Sequence, residues 1–215
     1  MTDKDDPYDS DYFLRGRETG KSLYNNYTWM PALTLPMATT IVKHCGISAQ
    51  DRILDFGCAR GYTVKALRLQ GYAAYGVDTS KWAVENSPDD VKPYISRSIN
   101  GVWGAHIFDW IIAKDVLEHI PFVNGTIVEL MNRAAKGLFV VVPLSEFNGQ
   151  RYVIEEYEKD VTHIQRMNLV TWTQMFLRPG WRVEASYRVP GIKDNYRQFE
   201  RGNGFIVARR IIEEQ

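Results

Sequence analysis

Cysteines, excess charge and long apolar runs are all scarce in this sequence. Its 215 residues contain two cysteines, Cys45 and Cys58, too few for a disulfide framework, so we expect thiols in a reducing compartment. The 26 basic and 26 acidic side chains cancel, whereas general nucleic-acid binders carry a basic excess. No apolar run approaches the length of a membrane span, and the acidic start lacks the order of a signal peptide. We therefore expect a cytoplasmic protein with neither a membrane nor a nucleic acid as its partner.

The apolar pattern from residue 52 onward alternates between strands and helices. Predicted strands are 52–56, 73–77, 92–96, 108–113 and 138–142, and predicted helices are 31–45, 61–70, 80–86, 121–136 and 168–178. Strands separated by helices indicate a parallel sheet with right-handed crossovers. Two final β segments, WRVEASYRV and GFIVARR, have no helix between them and indicate an antiparallel pair at the end of the sheet. The fold class is therefore α/β.

The first 30 residues are rich in aromatic side chains. Residues 1–11 hold five Asp against one Lys and are expected to be a flexible start. The aromatic side chains are Tyr8, Tyr12, Phe13, Tyr24, Tyr27 and Trp29. A disordered tail does not normally carry so much apolar surface. The segment is a flap that packs on the domain, a lid that encloses ligands, or both. We divide the chain into this flap or lid, residues 1–30, and one domain, residues 31–215.

A turn of small residues follows the first strand of the alternating region. Asp55 ends the strand, and Gly57, Cys58, Ala59 and Gly61 form the turn. A dinucleotide-binding turn has the spacing G-x-G-x-x-G, in which the second glycine lets the backbone approach a pyrophosphate. Here an alanine stands in that region, and the carboxylate before the turn suits a cation better than a polyphosphate. The residues favour S-adenosylmethionine, which carries an ammonium and a sulfonium and no phosphate.

Asp78 ends the next strand, in the sequence AAYGVD. A carboxylate at the tip of the neighbouring strand can accept hydrogen bonds from both hydroxyls of a ribose. Nicotinamide enzymes use the same device, and Asp78 is also placed to cap a helix that begins near Ser80. A nicotinamide-dependent oxidoreductase is therefore a rival hypothesis, although Asp55 and Ala59 count against it.

Three stretches resemble the motifs of class I S-adenosylmethionine-dependent methyltransferases: DFGCARG, YGVDTS and FDWIIAKDVLEHIP. The resemblance extends over about residues 50–145. It implies a Rossmann-like three-layer sandwich with a mostly parallel, seven-stranded sheet and an antiparallel last strand. It further implies that Asp55, Gly57, Cys58 and Gly61 contact the methionine part, that Asp78 and Thr79 contact the ribose, that Ser98, Ile99 and Asn100 lie at the adenine, and that Lys114 and Asp115 border the sulfonium and the acceptor.

The sequence lacks the motifs of several acceptor classes. It has no Asn/Asp-Pro-Pro-aromatic motif after the fourth strand and no Pro-Cys pair. The combination of clustered carboxylates and an Asp-Asn pair that is typical of the metal-dependent catechol type is not recognised in it either. These absences favour metal-independent methyl transfer to a hydroxyl or amine of a small polar metabolite. The N-terminal aromatic spacing resembles the flap of bacterial methyltransferases of sugar and polysaccharide pathways, which favours a sugar-like acceptor. We expect a monomer or a homodimer.

Two histidines are candidates for the base that deprotonates the acceptor. His163 stands in the sequence EKDVTHIQ, which resembles an Asp-x-x-His stretch of small-molecule methyltransferases, with Asp160 as the carboxylate that orients the imidazole. A purely structural His163 is an equal alternative. His119 matches a histidine common in the same branch and is the second candidate base. A protein or RNA methyltransferase, or a cofactor-binding partner subunit without catalysis, remains an alternative function.

Overall fold

A seven-stranded sheet lies at the centre of the computed structural model, which describes residues 6–99, 108–147 and 149–211. Its strands within these ranges are β1 Arg52–Phe56, β2 Ala73–Val77, β3 Ile95–Ser96, β4 Phe108–Lys114, β5 Ala134–Pro143, β6 Trp181–Ser186 and β7 Asn203–Arg210. Their order is β3-β2-β1-β4-β5-β7-β6. The first five are parallel, and β7 is antiparallel to both β5 and β6.

Helices cover both faces of this sheet. They are α1 Ser10–Leu14, α2 Gly16–Thr19, α3 Pro31–Cys45, α4 Tyr62–Leu69, α5 Lys81–Glu85, α6 Val123–Arg133 and α7 Leu169–Gln174. Neighbouring residues of β1 point to opposite faces: Ile53 packs with α3 and α4, and Leu54 packs with α6 and α7. The result is the three-layer sandwich predicted above. No helix in the described ranges is both long and apolar enough to cross a bilayer.

The predicted α/β class, the mostly parallel sheet and the antiparallel final pair are confirmed, and the differences are local. Strand β5 begins at Ala134, which is paired with Phe108, so α6 ends at Arg133 and not at 136. The predicted strand 92–96 is reduced to its last two residues because residues 92–94, with Pro93 among them, form a 3-10 turn.

Residues 6–30, here called the N-terminal segment, pack against the carboxyl ends of the parallel strands. Phe13 stacks on Trp82, with ring centroids 5.4 Å apart. The Ser80 hydroxyl donates to the carbonyl of Tyr8 at 2.7 Å, and the Arg60 guanidinium donates to the carbonyl of Tyr27 at 3.0 Å. These contacts attach the segment to the two turns that follow β1 and β2.

The prediction of a flexible start is wrong for residues 6–11. The Asp9 carboxylate accepts a hydrogen bond from the backbone N–H of Tyr12 and so caps α1. It also forms an ion pair with Lys21, Oδ2 to Nζ 2.5 Å. Asp9 therefore stabilises the local structure at the start of α1. Residues 1–5 lie outside the described ranges.

Two leucines on α4 provide a direct test of this packing. Leu67 is fully buried, whereas Leu69 is 63% exposed. We expect Leu67→Ala to lower the free energy of unfolding by about 2–5 kcal/mol through lost burial and a residual cavity. Leu69→Ala is the matched control and should change it by less than about 0.5 kcal/mol. Chemical denaturation measures both, and equal effects would contradict the assignment of the buried face of α4.

Candidate functional site

Two adjoining cavities lie where the carboxyl ends of β1, β2 and β4 meet the N-terminal segment. The first has a volume of about 290 Å³ and the second about 550 Å³. They share four lining residues, Tyr24, Gly57, Ala59 and Asp115. Ligands of open α/β sheets bind at this edge, outside the carboxyl ends of the strands. The two cavities together are therefore the candidate site.

The turn after β1 uses its backbone N–H groups within the protein. The N–H groups of Gly57 and Cys58 both donate to the carbonyl of Val77, at 2.8 and 3.1 Å. Gly57 has φ +77° and lines both cavities, and a Cβ there would lie 2.4 Å from the side chain of Val116. The N–H groups of Gly57 and Cys58 are therefore not available as donors to a phosphate. These two residues would contact a ligand only by packing against it.

Gly61 lines neither cavity in the described part of the chain, and its contact with the methionine part stays a prediction. Its φ is +75°, and an added Cβ would lie 2.2 Å from Ile95 and 3.4 Å from Val91. The absence of a side chain at Gly61 thus allows α4 to pack against β3.

Ala59 stands where a dinucleotide-binding turn has its second glycine, and its side chain is used in packing. Its φ is +49°, a left-handed conformation that costs free energy for a residue with a Cβ. Its methyl group packs against the aromatic cluster that contains Tyr12 and Phe13. Its N–H donates to Asp78 Oδ2 at 2.7 Å. The alanine therefore joins the turn to the N-terminal segment.

Asp78 bonds two backbone N–H groups and lines the first cavity. Oδ1 accepts from the N–H of Ser80 at 2.8 Å, just before α5, and Oδ2 accepts from Ala59. The cap of α5 is Ser80, whose hydroxyl accepts from the N–H of Ala83, so Asp78 does not hold the cap position considered for it. Each carboxylate oxygen keeps a further lone pair, and Asp78 and Thr79 line the first cavity. Burial raises the pKa of Asp78, against the opposing effect of the two backbone N–H groups.

Asp55 is a buried carboxylate in the wall of the second cavity. It is 4% exposed, and burial raises its pKa to about 7, with Lys114 acting in the opposite direction. Cys58, Thr63 and Lys114 line the same cavity. A cation placed beside Asp55 would restore its ionisation.

Asp115 lies at the junction of the two cavities and is held between two lysines. Lys114 Nζ lies 2.6 Å from Oδ2, and Lys193 Nζ contacts Oδ1. Burial acts to raise the pKa of Asp115, but the two ammonium groups outweigh it and hold that pKa well below its usual range. Asp115 and Lys193 both have positive φ, +55° and +51°. Sequence reasoning missed Lys193, because nothing in the loop between β6 and β7 indicates a contact 78 residues away.

The predicted adenine contacts are not found in the cavity walls. Ser98 and Ile99 line neither cavity within the described part of the chain, and Ile99 packs against the core on the α6 side of the sheet. Asn100 lies outside the described residues, as does His106. The apolar part of the first cavity is formed instead by Phe56, Val77, Val116, Ile120 and Pro121.

Asp160, His163 and His119 lie together, as predicted, but with different partners. The Asp160 carboxylate accepts from the hydroxyls of Tyr12, at 2.9 Å, and Thr162, at 2.5 Å. It does not orient His163, whose Nε2 is 3.9 Å from Oδ2. The ring of His163 is held instead by the carbonyl of Tyr157, 2.9 Å from Nδ1. The predicted Asp160–His163 pair is therefore wrong, because Thr162 and Tyr12 occupy the carboxylate.

The hydrogen bonds assign the tautomers of both histidines. The Thr162 hydroxyl donates its one proton to Asp160. In the hydrogen bond between His119 Nδ1 and Thr162 Oγ1, 2.8 Å apart, the donor must therefore be His119 Nδ1. His163 Nδ1 faces a carbonyl and is likewise a donor. Both Nε2 atoms therefore carry lone pairs. Burial lowers the pKa values of both rings, which keeps them neutral near pH 7.

Both Nε2 atoms face Glu118, a residue that the sequence analysis did not single out. Each lies 4.0 Å from Glu118 Oε1. Glu118 is 1% exposed, and its Oε2 has no hydrogen-bond partner among the described residues. Burial raises its pKa. His119 lines the first cavity, whereas His163 lines neither, so His119 is the histidine that a bound molecule can reach.

The residues of the two cavities fit S-adenosylmethionine better than a dinucleotide. The N–H groups of Gly57, Cys58, Ala59 and Gly61 are bonded within the protein, so they do not form a pyrophosphate cradle. Carboxylates in both walls disfavour a polyanion and favour a ligand with an ammonium and a ribose. The walls thus agree with the chemistry expected from the turn.

Comparisons with known proteins give the family and the fold. A family model described as a methyltransferase domain matches residues 30–186. The ubiquinone biosynthesis O-methyltransferase of Rickettsia felis is 22% identical over 120 residues, which are 53% of this chain and 49% of the relative, so the match spans about half of that protein.

Solved structures at low identity share the fold. The plantazolicin methyltransferase BpumL, in complex with a triazolic desmethylPZN analog and SAH, has 16% identity and a TM-score of 0.62, covering 84% of this chain and 86% of its own. The methyltransferase in complex with the Haloferax volcanii Trm112 activator has 16% identity and a TM-score of 0.64, with 93% and 95% covered. YcgJ of Bacillus subtilis has 15% identity and a TM-score of 0.62, with 83% and 99% covered.

The family model covers most of the chain, including every parallel strand and the turn after β1. It agrees with the resemblance read from the three sequence motifs and with the cationic ligand favoured by the cavity walls. The chain belongs to the methyltransferase-domain family.

Proposed function

We propose that this enzyme methylates a hydroxyl or amine of a small polar acceptor, of which a sugar is the leading candidate. The observation that carries the proposal is the first cavity, in which a neutral, reachable His119 stands in the same wall as Asp78 and Asp115. The site thus combines a place for the cofactor with a proton acceptor for the substrate.

For the cofactor, each carboxylate is assigned a part of the molecule. Asp78, with Thr79, holds the ribose hydroxyls in the first cavity, and Asp55 faces the ammonium in the second. Asp115, at the junction, borders the sulfonium. When bound, S-adenosylmethionine supplies a methyl group that the acceptor's lone pair takes in an in-line displacement, leaving S-adenosylhomocysteine and one proton.

On the acceptor side, the protein offers polar side chains within a limited volume. Arg17, Asn25 and Asn26 line the second cavity, and His119 lines the first. His119 Nε2, which carries a lone pair, lies in a cluster with His163 and Glu118. We assign to this cluster the proton that the acceptor releases. The N-terminal segment, proposed as a lid over a domain of residues 31–215, holds the aromatic rings that can pack on a sugar face.

The names of the similar proteins point to different acceptors. One is named for ubiquinone biosynthesis, and another for plantazolicin. The acceptor of this chain is therefore proposed from its own cavity walls.

A labelling experiment tests the acceptor class. The purified enzyme is incubated with methyl-labelled S-adenosylmethionine and with the small-molecule and macromolecular fractions of a cell extract. We expect the label in the small-molecule fraction. Label in protein or RNA would overturn the proposal, and S-adenosylhomocysteine binding without transfer to either fraction would favour a cofactor-binding partner subunit.

The proposed contact of Asp78 with the ribose can be separated from its bonds to the backbone. Asp78→Ala should weaken S-adenosylhomocysteine binding by about 1–3 kcal/mol, because the ribose hydroxyls lose a charged acceptor. Isothermal titration gives the Kd, and Asp89→Ala, at an exposed position in the turn that follows α5, is the control. A lower Tm with unchanged affinity would leave Asp78 with its bonds to Ala59 and Ser80 alone.

Asp55 should make cofactor affinity depend on pH. With a pKa raised to about 7 in the free protein, Asp55 must lose a proton at lower pH before it can pair with the ammonium. The Kd of S-adenosylhomocysteine should therefore rise from pH 7.5 to 5.5, by up to about tenfold per unit below the pKa. Asp55→Asn should bind more weakly at pH 7.5 and show a flat profile. A wild-type Kd that does not change with pH would contradict this assignment.

A further inference from the structure

We infer that Glu118, His119 and His163 form a binding site for one divalent transition-metal ion, with Zn²⁺ as the reference ion. One ligand atom from each, the two Nε2 atoms and a carboxylate oxygen, lie within 4.8 Å of one another. Two imidazoles and a carboxylate are a ligand set used for zinc and other first-row metals. The binding itself does not depend on the proposed function, but the role given to the ion below rests on it.

The outer contacts of the two rings are those of metal-ligating histidines. A histidine that binds a metal usually donates its other ring N–H to a carboxylate, a backbone carbonyl or a water molecule, which fixes the tautomer and the ring orientation. His163 donates to the carbonyl of Tyr157, and His119 donates to Thr162, which is bonded in turn to Asp160. The Nε2 atom of each ring is thereby left with its lone pair, and each lies 4.0 Å from Glu118 Oε1.

The centre of the cluster lacks internal hydrogen bonds. The distances of 4.0 Å from Glu118 Oε1 to the two Nε2 atoms are too long for hydrogen bonds, and all three atoms are lone-pair bearers when the carboxylate is ionised. Glu118 is buried, and its Oε2 is without a partner among the described residues. A buried carboxylate that faces two neutral imidazoles is costly unless a cation joins it.

The charges around the cluster leave room for a cation. Asp160 lies 3.9 Å from His163 Nε2, and its two oxygens are bonded to neutral hydroxyls. Lys193, a cation close to the cluster, is paired with Asp115. When Glu118 is ionised, it and Asp160 together contribute negative charge that no described ion pair with a Lys or Arg neutralises.

The distances require a small closure of the site. Ligand atoms around tetrahedral zinc, at about 2.1 Å from the metal, are about 3.4 Å apart. The two separations of 4.0 Å would shrink by about 0.6 Å, and the separation of the two Nε2 atoms, which is at most 4.8 Å, by up to about 1.4 Å. This closure requires side-chain rotation of Glu118 and of the partly buried His119. The backbone carbonyl of Glu118 is already fixed by the N–H groups of Ile164 and Gln165.

Such an ion would act at the acceptor side of the site. His119 lines the first cavity, so an ion on its Nε2 is next to the space assigned to the acceptor. A divalent cation lowers the pKa of a hydroxyl bound to it. Because both Nε2 lone pairs are metal ligands in this arrangement, it replaces both the metal-independent transfer expected from the sequence and His119 as the proton acceptor. The proton of the ion-bound hydroxyl would then pass to solvent through the first cavity.

Metal binding is measured directly on untagged protein stripped with a chelator. We expect isothermal titration to give one equivalent of Zn²⁺, and Co²⁺ to give visible absorption bands of a low-coordinate nitrogen and oxygen site. Glu118→Gln, His119→Ala and His163→Ala should each weaken Zn²⁺ binding at least tenfold, and His44→Ala, at an exposed histidine outside the site, should not. Absence of stoichiometric binding, or equal binding by all four variants, would overturn the site.

Thr162→Val tests the site without changing a ligand, and can be used if the ligand substitutions prevent folding. It keeps all three ligands and removes only the hydroxyl between His119 and Asp160, so we expect Zn²⁺ affinity to fall about 10- to 100-fold with S-adenosylhomocysteine affinity unchanged. Unchanged Zn²⁺ affinity would contradict the site.

The role of the ion is tested separately, once the labelling experiment has supplied an acceptor. Chelation should abolish turnover, Zn²⁺ or Co²⁺ should restore it, and cofactor affinity should not change. Full turnover after chelation would overturn the catalytic role. A macromolecular acceptor would overturn the proposed function while leaving the measured metal affinity intact, so the two failures are distinguishable.

Discussion

The carboxylate of Asp78 connects the parts from which the site is built. One oxygen holds the turn after β1 through the N–H of Ala59, and the other holds the start of α5 through the N–H of Ser80. The Ser80 hydroxyl in turn accepts from Ala83 and donates to the carbonyl of Tyr8. Turn, helix and N-terminal segment are thus joined through two neighbouring side chains at the tip of β2. The position of the cavity between them follows from these bonds.

Several buried carboxylates lie at one edge of the sheet, and their partners differ in kind. Asp115 has two lysines, Asp160 has two hydroxyls, and Glu118 has an oxygen without a partner among the described residues. Burying a carboxylate costs free energy unless opposite charge or hydrogen bonds offset it. The positive φ values of Ala59 and Asp115 add strain at the same edge. These features lower the stability of the protein at this edge of the sheet. Binding of a positively charged group there would raise it again.

Local patterns were sufficient for the sheet but not for the partners of the site residues. The alternation of apolar runs and turns located β1, β2 and β4, and the motifs located Asp55 and Asp78, because each signal lies within a few residues. The spacing of Asp160 and His163 correctly placed them together, but it could not show that Thr162 and Tyr12 take up the carboxylate. Lys193 reaches Asp115 from a loop far along the chain. Glu118 directly precedes His119 in the motif FDWIIAKDVLEHIP. The sequence signal that could have identified Glu118 was a charged residue next to Leu117, which is buried.

The hydrogen bond from Tyr12 to Asp160 spans 148 residues, and this has a consequence for the order of folding. The N-terminal segment is synthesised before its anchors at Arg60, Ser80 and Asp160. Its aromatic rings can be buried only after the sheet has formed, since contacts of high sequence separation carry the entropic cost of closing long loops. During synthesis the segment is therefore an exposed apolar strip, and its docking is the step that completes the pocket.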